Sequence, residues 1–165
     1  MLLGIISDTH MPGMALKLPD NLLRDMDKVD YILHAGDWNT LEVYEQLSQL
    51  APVDGVAGNT DGIEIVSKFG YQKVLEFENR KIGIVHGHGM RGATEDTALH
   101  TFKDEEVDCI IFGHSHIPLM RSVNGVLLLN PGSPTDKRRQ PRYSYAMLEI
   151  TEQLEAKHVF FESKI

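Results

Sequence analysis

The sequence predicts an α/β fold of two packed sheets with helices on the outside. Three observations predict it: short apolar runs recur along the chain, helical patterns separate the first three runs, and hairpin patterns dominate the second half. Near-continuous hydrophobicity over so few residues reads as strands buried on both faces.

The first run, Leu2-Leu3-Gly4-Ile5-Ile6, stops before Asp8. A helix is expected over Asp20 to Val29 after Pro19, because proline is tolerated at a helix start. Tyr31-Ile32-Leu33 is the next strand. A second helix spans Leu41 to Leu50, opened by Asn39 with Glu42 three residues on as a capping box. Val53 to Ala57 completes a βαβαβ first half. Val74 to Phe77 then pairs with Lys81 to Val85 across a tight turn. A helix starts near Thr94, with Ala98, Leu99 and Phe102 on one face and the solvated acids Asp104-Glu105-Glu106 behind it. Cys109 to Phe112 is another buried strand, and Asn124-Gly125 joins two apolar runs in the type I′ manner. Tyr145 to Ile150 and Ala156 to Phe161 form a last hairpin around Thr151 to Glu155. The first sheet is expected to be mainly parallel and the second mixed.

The 165 residues fit one domain, 1–165, with no linker, repeat or low-complexity tract. Hydrophobic residues at 42% and charged residues at 24% are the balance of a globular chain. The net charge of −8 repels long polyanions, so nonspecific nucleic-acid binding is not expected. The single cysteine, Cys109, excludes an intrachain disulfide framework and a thiolate-rich zinc site, and it suits a reducing compartment. No apolar run approaches a membrane span, and the N-terminus lacks the regions of a signal peptide. The expected location is therefore the cytoplasm, without membrane association. A homo-oligomer is compatible with the sequence.

Five loops follow apolar runs and carry metal-capable groups: Asp8-Thr9-His10, Gly36-Asp37, Gly58-Asn59-Thr60-Asp61, His86-Gly87-His88 and Gly113-His114-Ser115-His116. Strands of one sheet end along a common edge, so residues far apart in sequence converge there. Asp8, His10, Asp37, Asn59, His86, His114 and His116 are more candidate ligands than one tetrahedral ion can use, and two ions account for them. Imidazole, carboxylate and carboxamide without thiolate favour Mn²⁺, with Ni²⁺, Co²⁺, Fe²⁺ and Zn²⁺ as alternatives, over Ca²⁺ or Mg²⁺. Such a pair shares a carboxylate, lowers the pKa of a bridging water and clamps phosphoryl oxygens during in-line attack. Asp37 is the natural bridge.

The ordered motifs Asp-x-His, Gly-Asp, Gly-Asn-x-Asp, His-Gly-His and Gly-His-x-His, with Asn130-Pro131-Gly132-Ser133 downstream, resemble the calcineurin-like metallophosphoesterases. The resemblance covers almost the whole chain and is closest to the small single-domain prokaryotic phosphodiesterases of that superfamily. It implies a four-layer α/β/β/α sandwich of two mixed sheets flanked by helices. It also implies one metal site from Asp8, His10, Asp37 and His116 and another from Asp37, Asn59, His86 and His114. Asn59 would face the phosphoryl group, and Asp61 resembles a carboxylate that orients its neighbours. Where the superfamily often has a histidine that hydrogen-bonds the phosphate or protonates the leaving group, this chain has Thr60, whose hydroxyl is no general acid near neutral pH.

His88 either contacts substrate or is a loop residue satisfied by backbone. Trp38 either lines the cleft or covers the core. Lys137-Arg138-Arg139 with Arg142 is the one basic cluster, read as a solvated loop or as an anion or subunit contact. The expected activity is hydrolysis of a small phosphodiester by a hydroxide bridging two divalent ions. A retromer subunit of this fold binds partner proteins, so a noncatalytic metal-binding scaffold is the alternative. A phosphomonoesterase or a nuclease acting on short strands is the nearest rival among enzymes.

Overall fold

A computed structural model describes residues 1–89 and 92–165. In chain order the elements are β1 (Leu2–Ile6), α1 (Asp20–Met26), β2 (Tyr31–His34), α2 (Leu41–Ser48), β3 (Val53–Gly55), α3 (Ile63–Phe69), β4 (Gln72–Phe77) and β5 (Arg80–Val85). Then follow α4 (Thr94–Thr101), β6 (Cys109–Ile111), β7 (Leu119–Val123), β8 (Val126–Asn130), β9 (Tyr143–Ile150) and β10 (Leu154–Phe161).

Both sheets are five-stranded and mixed, in the orders β10-β9-β1-β2-β3 and β4-β5-β6-β8-β7. The first is less parallel than expected, because β9 runs antiparallel to β1 and carries β10 with it. In the second, β5, β6 and β8 are parallel and β4 and β7 antiparallel to their neighbours. Successive strand side chains point to opposite faces. Leu3, Ile5, Leu33, Ile82, Ile84, Ile111, Leu129 and Leu148 therefore fill the space between the sheets. Ile6, Ile32, Tyr145 and Met147 face outward onto Leu22 and Met26 of α1 and Val43 and Leu47 of α2. On the other side Ala98 and Phe102 cover Val85, Ile110, Phe112 and Leu128. The result is the four-layer α/β/β/α sandwich, in which burying each Leu or Ile contributes about 1.5–3 kcal/mol.

Several element ends differ from the sequence reading. The first helix stops at Met26, where the Lys28 N–H turns back to the Asp25 carbonyl and frees Val29 to enter the core. Asn39 does not cap α2; its φ is +69°, and Thr40 in an extended conformation caps instead, its hydroxyl accepting from the Glu42 N–H. The final loop is shorter, since Leu154 and Glu155 already pair with Ile150 and Glu149. The helix α3 was not expected at all. The Asn124-Gly125 turn does join β7 to β8, with φ of +51° and +80° as type I′ requires. No described helix is long and apolar enough to cross a membrane.

Candidate metal centre

The parallel arrangement of β1, β2 and β3, and of β5 and β6, brings their C-terminal ends to one edge, and bonds within and between the sheets draw the following loops together. His86 Nδ1 donates to the Ala35 carbonyl at 2.7 Å, the Gly113 N–H to the His86 carbonyl at 3.0 Å, and the His114 N–H to Asp8 Oδ2 at 3.0 Å. Two glycines permit this approach. A Cβ on Gly58 would stand 2.1 Å from Asp37 Oδ1, and one on Gly113 would stand 2.0 Å from Ser7 Oγ.

Six side chains meet as two adjoining donor groups, Asp8–His10–His116 and Asp37–His86–His114, with the ligand atoms within each group no more than 4.8 Å apart. Asp37 Oδ2 touches a member of each, at 3.4 Å from His10 Nε2 and 3.1 Å from His86 Nε2. Asn59 joins through its Oδ1, 3.2 Å from His114 Nδ1. All seven expected ligands are thus gathered at one place. Asp8, His10, Asp37, His114 and His116 have φ between +44° and +70°. Non-glycine residues rarely adopt that region, at about 1–3 kcal/mol each, and such strain concentrates at functional sites.

The hydrogen bonds around the donors leave lone pairs aimed at a common centre. His86 Nδ1 and His116 Nδ1 face carbonyls, of Ala35 at 2.7 Å and of Asp136 at 2.5 Å, so in each neutral ring Nδ1 carries the hydrogen and Nε2 is bare. Asp8 Oδ2 accepts from Ser7 Oγ and the His114 N–H, whereas Asp8 Oδ1 and His86 Nε2 are buried without a hydrogen-bond partner. Buried polar atoms are nearly always paired, and these orphans, with imidazole and carboxylate donors around them, fit divalent cations.

Without a cation, protons take its place at the centre. Burial pushes the Asp8 carboxyl up to about 7. Burial opposes charge on His86, but the contact with Asp37 and the charges of Asp8 and Asp37 outweigh it and hold the ring at about 9. Burial also opposes ionisation of Asp37, yet His86 and the Thr60 N–H keep its carboxyl well below the ordinary range. Burial lowers His10, His88 and His114, and it takes His116 down to about 4, leaving these rings neutral at pH 7.

The other expected residues divide. Asp61 Oδ2 accepts the N–H groups of Asp37 and Gly58 and Oδ1 that of Asn39, each at 2.8 Å, so one carboxylate ties the Asp37 loop to the Asn59 loop. The Thr60 hydroxyl donates to Asn39 Oδ1 at 2.6 Å. The His88 ring lies 5.4 Å from that of His86 and 6.2 Å from that of His114, outside both donor groups. Trp38 belongs to the core, fully buried between His34 and Phe69, with its indole N–H on the Val56 carbonyl. Sequence reasoning missed Ala35 and Asp136, which orient histidines through carbonyls that any residue could supply. It also missed Thr135, whose hydroxyl holds the Thr9 carbonyl. Ser133 likewise holds the Asp8 carbonyl; the Asn-Pro-Gly-Ser motif signalled its position but not that bond.

The sequence profile described as the calcineurin-like phosphoesterase superfamily domain matches residues 1–153. A probable metallophosphoesterase of Methanocaldococcus jannaschii is 37% identical over 163 residues, 98% of this chain and 82% of that protein. A phosphodiesterase of the same organism is 27% identical over 144 residues, 80% of this chain and 83% of that one. Among solved structures, wild-type Vps29 of Entamoeba histolytica complexed with Zn²⁺ is similar, with a TM-score of 0.77 and 26% identity, covering 97% of this chain and 99% of that chain.

Proposed function

Because the chain belongs to the calcineurin-like phosphoesterase superfamily, we propose that it is a metal-dependent phosphodiesterase acting on a small diester. The observation that carries the reading is the meeting of two donor groups around Asp37, with Asp8 Oδ1 and His86 Nε2 buried and unpartnered between them. Asp8, His10, His116 and Asp37 would hold one ion and Asp37, Asn59, His86 and His114 the other, with Mn²⁺ the favoured metal. Bound there, a pair of divalent ions supplies an activated water as nucleophile and positive charge for the phosphoryl oxygens.

The chain's own residues do the rest. The Ala35 and Asp136 carbonyls fix the tautomers and tilts of His86 and His116. Asp61 holds the Asp37 backbone in place and sets the distance to Asn59, whose exposed carboxamide presents an N–H to the phosphoryl group. Among the described residues, neither Thr60 nor His88 is set to give the leaving group its proton. Thr60 gives its hydroxyl hydrogen to Asn39, and burial keeps His88 neutral at pH 7. A net charge of −8 favours small diesters over long nucleic acids. The free buried thiol of Cys109 suits the cytoplasm.

The second reading, a noncatalytic scaffold, has the likeness to Vps29 and the Thr60 position in its favour. Metal-loaded protein assayed with bis(p-nitrophenyl) phosphate and p-nitrophenyl phosphate separates the readings. Faster turnover of the diester supports the phosphodiesterase, and faster turnover of the monoester supports a phosphomonoesterase. No turnover of either, with metal bound, leaves the scaffold.

A further inference from the structure

The basic run that follows the Pro-Gly-Ser loop divides in space. The Arg142 guanidinium stacks over Phe160, 4.2 Å from the ring centroid. Lys137, Arg138 and Arg139 instead line a cavity of about 370 Å³ together with Ser115, Ile117 and Gln140. Ser115 and Ile117 are the residues on either side of His116, and Asp136, immediately before the basic triplet, accepts the His116 Nδ1 hydrogen. The lining of the cavity and the His116 donor with its partner carbonyl therefore belong to the same pair of loops.

The triplet is held in place. The Asp136 N–H bonds to Ser133 Oγ at 2.8 Å, the Gln140 N–H closes a turn on the Lys137 carbonyl at 2.9 Å, and Arg138 has a φ of +49°. Its charges have few carboxylate partners, and the Lys137 ammonium lies 5.7 Å from the centroid of the Tyr143 ring. Arg138 Nε is 3.9 Å from Asp136 Oδ2 with its side chain 53% exposed, a pair worth little. Among the described residues, Lys137 and Arg139 have no carboxylate within 4.0 Å. The exposed lining of the cavity is mostly apolar, so the aliphatic stems of these residues form its walls, and in a chain with 24 acids against 16 bases three basic residues at one cavity favour an anion there.

We propose that this cavity binds a second phosphate of the substrate, so that the preferred diester carries a further phosphomonoester group beside the scissile bond. This rests on the phosphodiesterase reading for its reaction but not for its binding. Guanidinium forks match phosphate oxygens bidentately, the Lys137 ammonium adds a point charge and the Ser115 hydroxyl a neutral donor. The volume suits a phosphorylated sugar rather than a lone ion. Binding energy gained there holds the scissile phosphate over the metal donors.

The test compares thymidine 3′,5′-bisphosphate with thymidine 5′-monophosphate, ligands that differ only by one phosphate, by calorimetric titration into the Mn²⁺-loaded protein. The bisphosphate should bind at least about tenfold more tightly, the yield of one or two charge-assisted hydrogen bonds. That preference should shrink with added salt and fall towards unity in Arg139→Gln and in the triple variant Lys137→Gln/Arg138→Gln/Arg139→Gln. Equal affinities in the wild type, binding of neither ligand, or a preference that survives the triple variant would overturn the subsite. The p-nitrophenyl 5′-diester of thymidine is assayed in parallel. Hydrolysis without a binding preference sinks the subsite and leaves the function, whereas a preference without hydrolysis sustains the subsite and removes the function.

Discussion

The Nε2 atoms of His10 and His116 face each other at 3.3 Å, on rings stacked 5.1 Å apart. His116 donates its Nδ1 hydrogen to the Asp136 carbonyl, so its Nε2 lone pair points at His10, with Asp8 Oδ1 3.5 Å away. Such an arrangement of acceptors is stable around a cation.

Loading that cation must displace protons, which sets a pH dependence. Coordination needs Asp8 ionised and His86 neutral, yet burial raises Asp8 to about 7 and the carboxylates hold His86 at about 9. Affinity for Mn²⁺ should therefore rise from about pH 6 to about pH 9, with protons released. Titration calorimetry in buffers of different ionisation enthalpy measures both. Without metal the sign reverses. Both groups bind protons more tightly folded than unfolded, so the apo stability contributed by Asp8 is lost between about pH 4 and about pH 7 and that contributed by His86 between about pH 6.5 and about pH 9, the window in which a fall is to be measured. The lowered rings of His10, His34, His88, His114 and His116 titrate below that window.

Replacing Asp61 tests the tie between the Asp37 and Asn59 loops. Asp61→Ala leaves three backbone N–H groups without their acceptor and should cost about 3 kcal/mol in denaturant unfolding. Metal affinity should drop about 10–100-fold. Unchanged unfolding and unchanged affinity would show that Asp61 merely fills a loop.

Asp37 and His116 should differ in stoichiometry. Asp37 Oδ2 touches both donor groups, whereas His116 belongs to one. Elemental analysis after dialysis should find Asp37→Asn depleted of both ions and His116→Ala of mainly one. Two equivalents at wild-type affinity in Asp37→Asn would remove Asp37 as the bridge.

The strands β1, β2, β5 and β6 were legible because nearly all of their residues are buried, the edge strands β4, β7 and β10 because hairpin turns join them to a neighbour, and the donor loops because each follows a strand. The helix α3 was not, since Ile63-Glu64-Ile65-Val66 alternates like a strand, follows a Gly-rich loop, has no side-chain cap and leaves Ile63 exposed. Asn39 reads as a helix cap in sequence, but Thr60 and Asp61 recruit it to the site from 21 and 22 residues away, a tertiary demand that overrides the local pattern. The seven donors could be named from their side chains. The carbonyls of Ala35 and Asp136 that aim two of them could not, because carbonyls carry no sequence signal.

On the phosphodiesterase reading, Thr60 should set the response to leaving groups. With its hydroxyl engaged by Asn39 and His88 neutral, diesters of nitrophenol should be cleaved far faster than alkyl diesters, and the rate should fall steeply with leaving-group pKa. Thr60→His should flatten that slope, since a positioned acid adds about 10²–10⁴-fold to the poorest leaving groups. A shallow wild-type slope with chemistry rate-limiting would identify another proton donor, His88 first.

The central claim is that diester hydrolysis needs both donor groups filled. Protein stripped by a strong chelator is titrated with Mn²⁺ while hydrolysis of bis(p-nitrophenyl) phosphate is followed. Activity should be absent in the stripped protein and should level off at two equivalents per chain, with a parallel rise in melting temperature. Full activity in stripped protein shown by elemental analysis to hold no metal would contradict the account.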